Sequence, residues 1–184
     1  MGEPIVEWLN KQQDNMVELL SDLVDIDSNS FDKAGVDRVG ARLTAFFDNN
    51  EIPHETIPLE EYGDAIRAVV SGGDGNQPIL LCGHRDTVFP TGEVEKRPFS
   101  IADGKAFGPG VADMKPGLVI NAFILAAFHK FGGHPNPLVG LFTGDEEIGS
   151  PASRDVITAE AEKARLAFNS EPSRPSGNIV IRRK

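Results

Sequence analysis

Apolar residues recur at helical spacing in four segments of the chain, and each segment predicts a helix with a buried face. The first covers residues 4–26 and has a proline in its opening turn, where proline is tolerated. The second covers 36–49. The third, 115–131, is rich in Leu, Ile, Ala and Phe and is expected to be buried. The fourth, 155–165, has acidic residues early and a lysine late, as the helix dipole favours.

The segments between these helices contain the short apolar runs that are typical of strands. The predicted strands are 55–58, 65–70, 78–82, 137–142, 166–169 and 179–181. A hairpin is predicted to join 99–101 to 105–107 through Asp103 and Gly104. Alternating strands and helices predict an α/β fold, a three-layer domain with a mixed, largely parallel central sheet flanked by helices. Without an internal repeat or a linker, residues 1–184 are expected to form a single domain.

Residues with metal-ligand chemistry come directly after several predicted strands. His84, the Glu146–Glu147 pair and Glu171 each follow a strand, and Asp113 comes just before the buried helix. Ligands of α/β sheets bind beyond the carboxyl ends of the strands, so these side chains are expected at one rim. One imidazole and several carboxylates together are the ligand set of a two-zinc hydrolase.

His84 and Asp86 are two positions apart, which on a strand end directs both side chains to the same face. Asp86 can orient the histidine ring, as carboxylates commonly do for metal-binding histidines, or it can itself be a ligand. A surface histidine followed by a turn-capping aspartate is the alternative. The kinase catalytic loop is excluded, because Thr87 and Val88 follow where that loop requires leucine and a later asparagine.

Residues 108–113 read GPGVAD and partly match a dinucleotide-binding fingerprint. Asp113 excludes that function, because its carboxylate would lie where the pyrophosphate should bind. The glycines instead allow the backbone to bend closely around a site, so that Asp113 can bridge two cations. An N-cap at the start of the following helix is an equally good explanation of Asp113 alone.

Asp145, Glu146 and Glu147 are three consecutive acids, and convergence of their charges is unfavourable without a counter-charge. A solvated surface turn is one solution. A metal is another, in which Glu147 binds a cation while Glu146 takes a proton from the water bound to it. Glu171 precedes Pro172, which ends regular strand pairing.

Charge and cysteine content narrow the function classes further. The net charge of −10 argues against a nucleic-acid partner, since phosphates would be repelled. No apolar run approaches the ~20 residues of a membrane span, and we identify no signal peptide. The single cysteine, Cys82, excludes an internal disulfide and indicates a reducing, cytoplasmic compartment. Its apolar neighbours predict a packing role for Cys82.

Four motifs, in this order and separation, resemble a known family: residues 83–88 (GHRDTV), 108–115 (GPGVADMK), 145–150 (DEEIGS) and 171–172 (EP). It is the zinc-dependent family of glutamate carboxypeptidase, acetylornithine deacetylase, succinyl-diaminopimelate desuccinylase and aminoacylase. The resemblance covers nearly the whole chain, as the N-terminal portion of the catalytic domain. Phe89-Pro90 and the hairpin are most similar to the glutamate carboxypeptidase branch. The resemblance implies a zinc exopeptidase-like fold.

The resemblance also implies a role for each candidate ligand. His84 would bind one zinc, with Asp86 steadying its ring, and Glu171 would complete that site. Asp113 would bridge two zincs, and Glu147 would bind the other one. Cobalt or manganese are possible substitutes for zinc. A cis peptide bond is expected between Asp113 and the next residue.

Glu146 would be the general base that activates a metal-bound water for hydrolysis of an amide or peptide bond. Small peptides or N-acyl amino acids are the expected substrates, and the full-length parent would form a homodimer through a lid domain. The family's last histidine ligand and its lid are not among these residues, so the chain is expected to be truncated and inactive alone. The alternative function is a non-catalytic metal-binding fragment.

Overall fold

The computed structural model describes residues 2–75 and 77–173. The helices are α1 (Gly2–Asn10), α2 (Gln13–Val24), α3 (Lys33–Asn49), α4 (Glu93–Lys96), α5 (Lys115–Lys130) and α6 (Arg154–Lys163). The strands are β1 (His54–Ile57), β2 (Ala65–Val70), β3 (Ile79–His84), β4 (Ser100–Ala102), β5 (Lys105–Phe107), β6 (Leu138–Thr143) and β7 (Leu166–Asn169). A 3-10 turn covers Glu146–Ile148. The predicted strand at 179–181 lies outside the described residues.

Among residues 2–75 and 77–173, five strands form the central sheet in the order β1-β2-β6-β3-β7. β3 lies between β6 and β7 and is parallel to both, whereas β2 is antiparallel to β1 and to β6. Within the part of the chain that the structure describes, β2 is therefore the one strand of this sheet that runs against the others. The predicted mixed, largely parallel sheet is confirmed. β4 and β5 form the separate hairpin that the sequence predicts.

Helices cover both faces of the sheet and complete the predicted three layers. α5 packs on one face, where α1, α2 and α3 also contact it. The large apolar core on this face includes Leu81 and Leu118. On the opposite face Leu80 packs with Val156 and Ile157 of α6 in a smaller cluster. Because successive strand residues point to opposite faces, a strand buried between two helical layers must be apolar at every position.

The single helix predicted over residues 4–26 is wrong. The chain forms two helices there, α1 and α2, because the helical pattern is interrupted at Lys11 and Gln12. The backbone N–H groups of Lys11 and Gln12 bond three residues back, to Trp8 and Leu9. Polar residues occupy 10–15, so no apolar face holds the helix together through this stretch. The interruption lets both helices pack on α5.

Two short elements were not predicted, α4 and the 3-10 turn at Glu146–Ile148. The Asp27 carboxylate accepts hydrogen bonds from the N–H groups of Gly92 and Val94, at 2.6 and 3.1 Å, and thereby caps α4. In the described part of the chain, every helix is too short or too polar to cross a bilayer.

Two substitutions on α5 test which of its faces is buried. Leu118→Ala removes a side chain that is 0% exposed and is expected to cost about 2–5 kcal/mol of unfolding free energy. Ile120→Ala, on the same helix but 51% exposed, is expected to cost less than about 0.5 kcal/mol. Urea unfolding of both variants measures the difference. Similar losses for the two would contradict the packing of α5 on the sheet.

Candidate metal centre

The carboxyl ends of three parallel strands meet at one edge of the sheet. His84 is the last residue of β3 and lies opposite Thr143, the last residue of β6. Glu146 follows β6 after a short connection, and Glu171 follows β7. Parallel strands bring their carboxyl ends to the same edge, so side chains distant in sequence meet there.

The His84 ring lies at the centre of a group of carboxylates. Its Nε2 atom is 3.3 Å from Asp113 Oδ1, 3.4 Å from Glu171 Oε1 and 3.6 Å from Glu146 Oε2. His84 is 2% exposed, whereas Asp113 and Glu146 are about half exposed, with 53% and 48% of their side chains accessible. The imidazole therefore forms the buried floor of a cluster that opens to solvent.

In the described part of the chain, two sets of three residues have ligand atoms close enough to hold a metal ion. One is His84 with Glu146 and Glu171, and the other is His84 with Asp113 and Glu147; in each set the atoms lie within 4.8 Å of one another. The structure thus brings every predicted ligand to one place. The division of Glu146 and Glu147 into base and ligand stays a prediction from the sequence.

The Asp86 carboxylate connects the histidine to the acidic turn. Asp86 is 0% exposed, and its Oδ1 lies 3.3 Å from His84 Nδ1. It accepts hydrogen bonds from the N–H groups of Glu146 and Glu147, at 3.2 and 3.1 Å. The Ser30 hydroxyl also donates to it, at 2.7 Å. Burial raises the pKa of Asp86, but the hydrogen bonds from His84 and Ser30 outweigh this and lower it.

Ser30 was not found by sequence reasoning. It lies 56 residues before Asp86, in a polar loop whose residues show no periodic pattern. The loop reaches Asp86 because Asn29 forms an isolated parallel bridge with Thr87. Only the tertiary pairing of these two segments reveals that Ser30 belongs to the centre.

Three carboxyl groups of the site, those of Asp113, Glu146 and Glu147, have raised pKa values. Burial raises the pKa values of Asp113, Glu146 and Glu147, and neighbouring carboxylates raise them further, against the opposing charge of His84. Burial lowers the pKa of His84, but its hydrogen bonds to Asp86 and Glu171 and the nearby negative charges raise it to about 11. One imidazolium offsets at most one of these charges, so the nitrogen and oxygen donor set fits a divalent cation such as zinc.

A sharply bent loop brings Asp113 to the cluster. Gly108 and Gly110 have positive φ angles of 143° and 75°, which glycine adopts without strain. The peptide bond between Asp113 and Met114 is cis, as the family resemblance implies. Met114, rather than Asp113, is the N-cap residue of α5. The alternative that Asp113 serves as the helix cap is therefore wrong.

The buried Lys115 side chain links the loop that carries Asp113 to the end of α2. Lys115 is 1% exposed, and its ammonium group donates to the carbonyls of Leu23 and Ile26, each at 2.8 Å. The Lys115 N–H also donates to the Gly110 carbonyl at 3.1 Å. The start of α5 is thus fixed against the end of α2, and with it the loop that carries Asp113.

An α/β sheet that gathers one histidine and several carboxylates at its carboxyl edge offers the donor set that metal-dependent hydrolases use. Comparison with models of protein families identifies the family to which the chain belongs. The profile of "Peptidase family M20/M25/M40" matches residues 80–184, which is more than half of the chain. The chain belongs to this metal-dependent family of metallopeptidases and amidohydrolases.

Two curated relatives illustrate the similarity. Carboxypeptidase G2 of Pseudomonas sp. (strain RS-16) is 32% identical over 165 residues, which are 88% of this chain and 40% of that protein. Acetylornithine deacetylase of Pasteurella multocida (strain Pm70) is 35% identical over 124 residues, 65% of this chain and 32% of that protein. The chain spans less than half the length of the curated relatives it matches.

Solved structures share the fold. Human carnosine dipeptidase 1 superposes with a TM-score of 0.78 at 18% identity, covering 93% of this chain and 41% of that one. An M20 family metallo-carboxypeptidase from Sulfolobus solfataricus gives a TM-score of 0.72 at 18% identity, covering 88% and 38%. The predicted α/β fold class is confirmed by these similarities.

Asp86→Asn tests the link between the histidine and the acidic turn. The amide keeps the shape but loses the charge that the Glu146 and Glu147 N–H groups and His84 share. We expect a loss of about 2–3 kcal/mol in unfolding free energy of the metal-free protein, and zinc affinity weakened by about 10- to 100-fold. Chemical unfolding with chelator and zinc titration measure the two effects.

Asp32→Asn is the matched control, because it removes the same charge at the N-cap of α3, where asparagine also caps. It is expected to change neither quantity appreciably. Equal effects of the two substitutions on zinc affinity would show that overall charge, not the Asp86 contacts, is responsible.

Proposed function

We propose that the protein containing these residues is a zinc-dependent exopeptidase or N-acyl amino acid deacylase. Residues 1–184 would form the N-terminal portion of its catalytic domain. The observation that carries the proposal is that His84 Nε2 lies within 3.6 Å of carboxylate oxygens of Asp113, Glu146 and Glu171. Support for the substrate class comes from the names of two relatives, a carboxypeptidase and a deacetylase.

The residues of the site would have separate roles in binding zinc and in orienting the ligands. His84, Asp113 and Glu171 would hold one zinc, and Asp113 and Glu147 the other. Bound zinc supplies Lewis acidity, which polarises the amide carbonyl and makes water easier to deprotonate. Asp86 would keep the His84 ring oriented, with its Nε2 atom directed toward the carboxylates.

Glu146 would be the base that removes the proton from the attacking water. About half of its side chain is exposed, at 48%, so solvent reaches it. Burial and neighbouring carboxylates raise the pKa of Glu146, and bound zinc would lower it again. Having accepted the proton, Glu146 would pass it to the departing amine.

Some further expectations go with this proposal. We infer a cytoplasmic location, because the single cysteine, Cys82, excludes an internal disulfide. Dimerisation of the full-length protein through a lid domain follows from the family resemblance alone. We assign hydrolysis to the whole protein and metal binding to these residues, since the chain spans 40% of the length of carboxypeptidase G2.

Glu146→Gln tests the role of the base in the full-length protein. Glutamine cannot accept the proton, so hydrolysis of N-acyl amino acids or C-terminal glutamyl amides is expected to fall by about 10²- to 10⁴-fold. Zinc content should stay the same, which separates loss of the base from loss of the metal. Glu162→Gln, an exposed acid on α6, is the control and should retain full activity. Activity that survives both Glu146→Gln and chelation would overturn the proposal.

His84→Ala tests metal binding by the 184-residue chain itself. His84 belongs to both candidate ligand sets, so its removal is expected to abolish tight zinc binding. His129→Ala, near the end of α5, is the matched control and should bind zinc as the unmodified chain does. Metal analysis after gel filtration provides the readout. A chain that holds no zinc before substitution, or keeps it in His84→Ala, would contradict the assignment.

A further inference from the structure

Asn121 is a fully buried amide within the apolar helix α5, with 0% of its surface exposed. Its Nδ2 donates to the Cys82 carbonyl at 3.0 Å, and its Oδ1 accepts from the Ser170 hydroxyl at 2.7 Å. These bonds offset the cost of burying an amide, which is considerable without partners. The two hydrogen bonds join Asn121 to residues close to candidate ligands. Cys82 lies two residues before His84, and Ser170 directly precedes Glu171.

The segment that carries Glu171 lies tightly against the first turns of α5. A Cβ atom placed on Gly117 would come within 2.4 Å of the Ser170 carbonyl oxygen. The Ser170 N–H donates to the Cys82 carbonyl at 3.3 Å. Pairing of β7 with β3 ends one residue earlier, at Asn169. Ser170 is therefore held at three points: its hydroxyl binds Asn121, its N–H binds the Cys82 carbonyl, and its backbone lies against α5. Glu171, the next residue, is positioned by these contacts.

We propose that Asn121 and Ser170 are positioning residues that hold the Glu171 carboxylate beside His84 and Asp113. They would thereby set the zinc affinity of the site that contains Glu171. This inference rests on the proposed metal centre, and neither residue touches the cation. A ligand that is already fixed in place loses less conformational entropy on binding than a ligand on a free segment. The Asn121–Ser170 hydrogen bond contributes to that fixation, together with the hydrogen bond that the Glu171 N–H donates to Asn169 Oδ1 at 3.2 Å.

Asn121→Leu and Ser170→Ala each break this connection by a different route. We expect each to weaken zinc binding by about 10- to 100-fold, as is typical when a group supporting a ligand is lost. Ser170→Thr keeps the hydroxyl and should restore affinity close to that of the unmodified chain. Competition for zinc with a chromophoric chelator, using the purified 184-residue chain, gives the affinities.

The double variant separates positioning from stability. Asn121→Leu alone leaves the Ser170 hydroxyl without its acceptor, whereas adding Ser170→Ala removes that hydroxyl as well. Stability of the metal-free double variant should therefore recover relative to Asn121→Leu. Zinc affinity should stay as low as in the single variants, because the connection to Glu171 is still missing. Recovery of zinc affinity together with stability would overturn the positioning role.

Gly117→Ala provides an independent test. Alanine favours the helix over glycine, so α5 itself should not be weakened. The added methyl group would displace the Ser170 carbonyl and should lower zinc affinity. Leu125→Ala, one turn after Asn121 and 0% exposed, is the control. It should lower the thermal midpoint while leaving zinc affinity unchanged.

The outcomes distinguish this inference from the proposed function. If His84→Ala abolishes zinc binding while Ser170→Ala, Asn121→Leu and Gly117→Ala all retain full affinity, only the positioning role is overturned. If His84→Ala retains zinc, the metal centre itself is wrong. Weak binding by the three variants, with normal binding by Ser170→Thr and Leu125→Ala, supports both.

Discussion

The buried Asp86 carboxylate is the group on which the arrangement of the centre depends. A charge that is removed from water must be satisfied by nearby donors, and Asp86 obtains them from two strands and a distant loop. Asp86 Oδ1 contacts the ring of His84, at the end of β3, and the N–H group of Glu146, after β6. Asp86 Oδ2 accepts from the Glu147 N–H group and from the Ser30 hydroxyl. The Asp86 carboxylate therefore links the histidine to the acidic turn, in addition to the pairing of β3 with β6.

The same region concentrates negative charge that the protein leaves largely open to solvent. Like charges raise the pKa values of Asp113, Glu146 and Glu147, so their convergence is unfavourable on its own. Hydrogen bonds to neighbouring elements hold the segments that carry Asp113 and Glu171. Lys115 anchors the loop of Asp113, and the Asn121–Ser170 pair anchors the segment of Glu171. A divalent cation would offset the repulsion among these carboxylates. The geometry is therefore consistent with membership of a metal-dependent family.

The sequence predicted the features that follow from local pattern. Continuous apolar runs predicted the strands of the sheet, and the acidic residues that follow these runs were predicted as metal ligands. Sequence reasoning failed where contacts between distant segments determine which residues come together. Ser30 reaches Asp86 across 56 residues, which no local pattern indicates. Asn121 did carry a signal, as a lone polar residue among apolar ones in 117–128, but its partner Ser170 was not identifiable from spacing.

The central claim is that the residues at this sheet edge bind zinc through one histidine and carboxylates. X-ray absorption at the zinc edge of the loaded chain tests it most directly. We expect nitrogen and oxygen neighbours at about 2.0–2.2 Å from zinc, with an imidazole contribution and no sulfur. A sulfur neighbour at about 2.3 Å, which only Cys82 or a methionine could supply, or a shell without imidazole, would contradict it.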